Sequence, residues 1–395
     1  MNPKVNWMKM SSAGKQLHTP KSRWFQLRLR TLLVLVTLVS MLLSWGVWEV
    51  DQRRREKIVI ASIQSWVGSR MWCTINYPEP ETSWWNKTID SAFGERVRSL
   101  DLSHASVPKG DLSILRELKA LESLKLYGTG ITDLTPLAGL KNLEALSHDA
   151  AQLSDLSPLS GLKNFELLRL SDTAVSDLTP LAKLKNLETL DFHGSTKVGD
   201  LTPLTDLKNL KSLTLSFTAV SDLTPLAGLE NLETLRLNHT ALSDLTGIAG
   251  LKNLKLLDLM KTAVSDLSPL ANMKNLETLD LAGNTQVRDL TPLANLKNLK
   301  TLELMDAKVS NLTGLTDLNK LESLTLYKTA VSDLSPLANG LQNLEELDLR
   351  YTVVSDLTPL TGLKNIGYLY LGGTSVSEKQ IDELKMALPN CDIVR

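Results

Sequence analysis

The sequence predicts an α/β solenoid, a stack of short coils joined by one parallel sheet, and three observations predict it. The first is repetition: AVSDLTPLAGLENLETLRLN at residues 219–238 recurs with few changes at 174–193 and 263–282. The second is period. A turn marker stands at Asp111, Asp133, Asp155, Asp177, Asp200, Asp222, Asp244, Asp266, Asp289, Asn311, Asp333 and Asp356, with spacings of 22 residues except for three of 23. The third is what each period contains: a short L-x-L strand, such as Leu168-Arg169-Leu170, and a segment Asp-Leu-Thr/Ser-Pro-Leu that opens a helical turn. Twenty-two residues are too few for the crossover helix of an ordinary parallel-sheet domain, but they complete one coil whose strand pairs with that of the next coil. A lone coil could not bury its leucines, so stability must come from stacking.

Composition agrees. With 395 residues and 43% apolar content the chain has material for a large core, and disorder is not the default reading. The net charge of −1 hides an asymmetry: residues 1–60 carry eleven Lys/Arg against three acids, so the rest is strongly acidic. A basic head on an acidic body argues against nucleic-acid binding. All eight Trp lie at or before Trp85, and four of six Tyr fall between Tyr327 and Tyr370. The two cysteines, Cys73 and Cys391, flank the repeats. At ~4.8 Å per strand the stack holds them roughly 50 Å apart, beyond disulfide reach within one chain.

Taken in order, residues 1–30 are a basic leader. Residues 31–50 read as a transmembrane anchor: TLLVLVTLVSMLLSWGVW, 31–48, carries no charge and spans about 27 Å as a helix. Trp45 and Trp48 suit the headgroup region. A cleaved signal peptide competes, but the polar leader, the long apolar run and the lack of a small-x-small site before Asp51 favour an uncleaved anchor. The positive-inside count places the N-terminus in the cytoplasm and exports the body, despite Arg53, Arg54, Arg55 and Lys57 behind the span. Residues 51–99 form a juxtamembrane helix, over 51–66, and an aromatic-rich cap with Trp72, Tyr77, Trp84, Trp85 and Phe93, broken by Pro78 and Pro80. Covering the exposed first coil is the expected role of such residues, with an aromatic ligand pocket as the alternative.

Within each coil, Thr173, Thr240, Thr262 and Thr329 occupy a turn where their hydroxyls reach backbone groups. The Thr or Ser before Pro is expected as helix N-cap with Pro at the first helical position. The segment A-G-L-K-N-L returns the chain to the next strand, and the extra residues of the 23-residue units fall in turns at His193-Gly194-Ser195, Gly283-Asn284 and Asn339-Gly340. The pattern L-x-x-L-x-L-x-x-T-x-V-x-D-L-T-P-L resembles the 22-residue leucine-rich repeat of bacterial internalin-like proteins and covers residues 100–377. The stretch RWFQLRLRTLLVLV is similar, more weakly, to anchors of membrane-bound repeat proteins. The resemblance implies a curved horseshoe with a parallel sheet inside, short helices on the convex side, and a concave face that takes partners. One departure stands out: the asparagine usual after the strand is mostly Thr here, Asn284 excepted, so the internal hydrogen-bond ladder must be built differently. Residues 378–395 form a C-terminal cap helix and tail, with Ile381, Leu384 and Leu388 facing inward.

No reaction centre is legible, and neither a cofactor nor a metal is expected. The aspartate column offers one carboxylate per coil without the clustered oxygens of a calcium loop, and accepting turn N–H groups explains it. His18, His104, His148, His193 and His239 share no zinc spacing. His148 replaces a strand leucine, either as a core irregularity or as a binding contact or hinge. Lys141, Lys163, Lys185, Lys208, Lys252, Lys274, Lys297 and Lys364 form a convex column, four of them offset by Glu144, Glu166, Glu188 and Glu277 three residues on.

The residue between the two strand leucines points away from the core. Coil by coil this outward row is Lys125, Ser147, Arg169, Asp191, Thr214, Arg236, Asp258, Asp280, Glu303, Thr325, Asp348 and Tyr370. Directly after the strands come Tyr127, Asp149, Ser171, His193, Ser216, Asn238, Met260, Ala282, Met305, Tyr327, Arg350 and Gly372. Asp258, Asp280 and Glu303 stack like charges, unfavourable without a partner. Beside them Met305, Tyr327, Lys328, Arg350, Tyr351 and Tyr370 are of the types enriched at protein-binding hot spots. These residues, with Arg236 and Asp348, are the candidate contact patch. The expected function is a non-enzymatic, membrane-anchored scaffold binding a protein through its concave face, with glycan or cell-wall adhesion as the alternative.

Overall fold

The computed structural model describes residues 21–67, 75–76, 96–338 and 340–395. The aromatics Trp72, Tyr77, Trp84, Trp85 and Phe93, with Cys73, Asn339 and residues 1–20, lie outside the described residues. The chain divides into two units, residues 1–55 and 56–395.

Helix α1 (Lys21–Val67) is a single element of 47 residues, so the juxtamembrane helix continues from the apolar stretch as expected, and it begins inside the leader. No proline interrupts it, so nothing forces a break. In the first unit its apolar side chains from Leu32 to Trp48 are exposed. Two hydroxyls there are satisfied within the helix: Thr37 donates to the Val34 carbonyl at 2.8 Å and Ser40 to that of Thr37 at 2.9 Å. By length and composition the stretch Thr31–Trp66 is sufficient to cross a membrane.

In the second unit the last turns of α1 bury Val59 and Ile63 in one core with Val97, Leu100 and Leu102. The capping of the first coil therefore includes this helix. Strand β1 (Ile75–Asn76) pairs antiparallel with β2 (Ser99–Asp101). From there the sheet is parallel in strict chain order: β3 (Ser123–Lys125), β4 (Ala145–His148), β5 (Leu167–Leu170), β6 (Thr189–Asp191), β7 (Ser212–Thr214) and β8 (Thr234–Arg236), then β9 (Leu256–Asp258), β10 (Thr278–Asp280), β11 (Thr301–Glu303), β12 (Ser323–Thr325), β13 (Glu346–Asp348), β14 (Tyr368–Tyr370) and β15 (Asp392–Val394). The strand leucines of successive coils are register partners, as Leu257, Leu279 and Leu302 are, and are fully buried. The 23-residue units keep this register, since their extra residue sits in a turn where Gly194 and Gly283 adopt positive φ.

The helical turns are short 3-10 segments, and one expectation about them is corrected. The Thr or Ser before Pro is the first helical residue and makes no side-chain cap. The turn marker two residues earlier takes that role: in all twelve coils its side-chain Oδ1 accepts the backbone N–H of the Thr or Ser at 2.7–2.9 Å. An Asx turn of this kind reaches two residues forward, which places Pro second, where its missing N–H is still unneeded.

The turn threonines hydrogen-bond as expected, each to the strand carbonyl three residues back, for example Thr240 to Leu237 at 2.7 Å and Thr329 to Leu326 at 2.8 Å. That bond stays within one coil. The coil-to-coil ladder is made elsewhere, by the asparagine of the K-N-L segment. Ten of these, from Asn142 to Asn365, donate to a carbonyl of the preceding coil at 2.7–3.1 Å. At Lys320 the series is broken, and its ammonium reaches Asn298 Oδ1 at 2.8 Å instead.

The lysine column also differs from expectation. Partners come from the neighbouring coil, because the intervening residues are turn and strand and do not follow a helical (i, i+3) path. Glu188 pairs with Lys211 and Glu277 with Lys300, both at 2.7 Å, while Lys185 and Lys297 face Asp206 and Asp317. The far end closes with α2 (Glu378–Ala387), whose N-cap Ser377 accepts the Gln380 N–H and whose Ile381 and Leu384 are buried. The tail then adds β15 to the sheet, a strand the sequence reading did not include.

Candidate functional site

The strand register assembles the outward residues into a row. Arg236, Asp258, Asp280, Glu303, Thr325, Asp348 and Tyr370 are consecutive Cα partners from β8 to β14. Asp258, Asp280 and Glu303 are half-buried on adjacent strands. Burial chiefly, and then the charges of Asp258 and Glu303, push the Asp280 carboxyl up to about 6, although its hydrogen bond from the Ala282 N–H pulls the other way. A carboxylate so placed is under electrostatic load that a positive neighbour would relieve.

Next to it the structure builds an organised cluster. The Asp348 side chain, only 8% exposed, receives the Arg350 guanidinium in a two-pronged bond, Nη2 to Oδ2 at 2.6 Å and Nε to Oδ1 at 3.0 Å. Held there, the guanidinium lies 5.3 Å from the Tyr327 ring centre and 5.1 Å from that of Tyr370. Tyr351 meets Tyr327 edge-on at 5.3 Å, and the Lys328 ammonium sits 5.3 Å from the same ring. Such ring and cation contacts restrict side chains before any partner arrives. Met305 is exposed one coil earlier. The candidate patch is thus brought together on one face, acids first and the Tyr–Arg cluster after them.

His148 does not face outward. It is fully buried, with Nδ1 3.1 Å from the Leu126 carbonyl and Nε2 2.6 Å from that of Ile131. It joins backbone of the preceding coil and belongs to the core. Among the described residues no group of three His, Cys, Asp or Glu side chains is placed to hold a metal.

One row was missed. Three residues after the outward strand position, in every coil but that of Ser147, the backbone adopts positive φ: His104, Gly128, Asp172, Gly194, Phe217, His239, Lys261, Gly283, Asp306, Lys328, Tyr351 and Gly373. The N–H at this point continues the inter-coil ladder past the strand, as from Phe217 to the Asn238 carbonyl and from Tyr351 to that of Gly372, both within 2.9 Å. Bulky aromatics are uncommon in this conformation. Phe217 nevertheless occupies it, stacked on His239 at 4.1 Å and edge-on to His193 at 5.2 Å. Two histidines that looked scattered therefore flank an exposed phenylalanine.

Comparison with known proteins places this architecture. The family described as leucine-rich repeats (two copies) matches at residues 208–250 and 252–295. Among solved structures the chain is similar to an internalin of Listeria monocytogenes, at 31% identity and a TM-score of 0.70, covering 75% of this chain and 86% of that one. A Leptospira interrogans leucine-rich repeat protein shares the fold at 22% identity and a TM-score of 0.53, over 80% of this chain and all of that one. A plant peptide hormone receptor, solved in complex with RGF2, shares it at 19% identity and a TM-score of 0.58, over 73% of this chain and 49% of the receptor. No curated protein sequence matches the chain.

Proposed function

Because the chain belongs to the bacterial internalin-like leucine-rich repeat family, we propose that it is a membrane-anchored, non-enzymatic scaffold that binds a protein partner on the outward face of its sheet. The observation that carries this reading is the Tyr327–Arg350–Tyr370 arrangement, pinned by buried Asp348. A guanidinium already tied to a carboxylate and flanked by rings loses little freedom when a partner covers it, and Tyr and Arg in that state are the usual hot-spot residues. Residues 31–50 serve as the anchor, with the N-terminus cytoplasmic and the repeats exported. Support comes from the uninterrupted exposed apolar surface between Leu32 and Trp48 and the internally bonded hydroxyls of Thr37 and Ser40.

Two experiments test this. A photo-crosslinking amino acid at position 351 in living cells is expected to yield a discrete protein adduct that Arg350→Ala abolishes, while the same probe at Lys185 yields none. Adducts from both positions alike, or from neither, would remove the reading. Adhesion to glycan, the alternative, predicts a carbohydrate adduct and binding that withstands high salt. Protease added to intact cells should cut the repeats; protection of the whole body would reverse the orientation.

A further inference from the structure

Phe217 and Tyr351 occupy the same position of their coils, with φ of 58° and 57°. Glycine takes this position at Gly128, Gly194, Gly283 and Gly373, and most of the remaining occupants are polar. Phe217 is 39% and Tyr351 57% exposed, so neither large ring is there to fill the core. Each is nonetheless fixed by neighbours, Phe217 by His193 and His239 and Tyr351 by Tyr327. Backbone strain combined with exposure of an immobilised ring is the pattern of a contact residue. Between the two, on the strand row, lie Asp258, Asp280 and Glu303.

Resting on the scaffold reading above, we infer that one interface runs from Phe217 to Tyr351 and takes a folded protein whose surface is basic at its centre and apolar at both ends. Six coil steps separate the rings, about 29 Å at ~4.8 Å per strand. That matches the width of a standard interface of roughly 800 Å² per partner. The footprint covers two rows, rings on the turn row and acids on the strand row, so it has breadth as well as length and suits a folded surface. Charge complementarity sets the sign: Arg350 is already matched by Asp348, and Asp258, Asp280 and Glu303 outnumber Arg236 and Lys261 beside them, so the centre of the strip is acidic.

The test uses the full chain in lipid nanodiscs as target for a displayed library of small folded domains with randomised surfaces. Selected domains are expected to be net basic, to weaken as salt rises, and to lose at least tenfold in affinity to F217G and, separately, to Y351G. Glycine is native to this row, so both variants should keep or raise the unfolding midpoint, and loss of binding cannot be ascribed to misfolding. Neutral or acidic binders, or binders lost to Arg350→Ala but indifferent to F217G, overturn this inference and leave the scaffold reading standing. Binders that ignore Arg350→Ala, F217G and Y351G alike overturn both.

Discussion

Carboxylates stand in two rows of the same solenoid, at nearly every coil in the turn row and at five of the twelve outward positions in the strand row, and their surroundings differ in one respect. In the turn row, Asp133, Asp155, Asp177 and Asp200 are solvent-exposed and hold the N–H groups and hydroxyls of the following Thr or Ser, which keeps their carboxyls below the usual range. In the strand row, Asp280 also accepts a backbone N–H, yet burial beside Asp258 and Glu303 raises it to about 6. The same hydrogen bond is therefore not decisive; hydration is. An acid that organises its turn in water supports the fold, whereas one crowded onto a half-buried face taxes it. An acid placed where its charge opposes folding fits a trade of stability for use on that face.

The sharpest way to break this contrast is Asp280→Asn. It keeps an acceptor for the Ala282 N–H and removes the charge, so the full chain should gain about 1 kcal/mol at pH 7 after allowance for solvent screening. An unchanged or lower urea midpoint would contradict the electrostatic load placed on this residue. Titration sharpens the point. A carboxyl raised from 3.8 to about 6 on folding contributes stability that is present below pH ~4 and lost as pH rises towards 6. The advantage of D280N should accordingly fade between pH 6 and pH 4 and vanish below. The turn row has the opposite sign: depressed carboxyls support the fold above pH ~4 and release it as pH falls through their lowered values.

A smaller effect is expected from Asp177→Ala, which leaves the Thr179 N–H without its 2.8 Å acceptor. Its midpoint should fall slightly and the Thr179 amide should exchange faster; equal exchange in both proteins would show that the Asx turn contributes nothing. The smallest is Asn311→Asp. Asn311 already accepts the Thr313 N–H at 2.9 Å, so the new carboxylate adds only the small, water-screened gain that depresses its row neighbours, and the midpoint should rise slightly at pH 7. An unchanged midpoint would mean that the bond alone, and not the charge, matters in this row.

Much of the site was legible because the period is short. Asp258, Asp280 and Glu303 are neighbours by counting alone, and so are Tyr327 and Arg350. What escaped was conformational. Phe217 lies just past the outward rows, and positive φ cannot be read from a position shared by His, Asp, Lys, Phe, Tyr and Gly. The asparagine ladder was in view in every K-N-L, but which carbonyl each amide reaches depends on how far one coil is displaced from the next. His148 looked like a defect until its two carbonyl partners were seen.

By itself the sequence determined the number of coils, the strand register and which side chains leave the core, since a leucine repeat with fixed spacing has one way to stack. Only the tertiary structure decided how the resulting rows behave. The orientation of Arg350 between two rings, the stack around Phe217 and the shifted carboxyl of Asp280 all depend on distances between coils. Those distances come from packing and desolvation, and these act between residues some twenty positions apart.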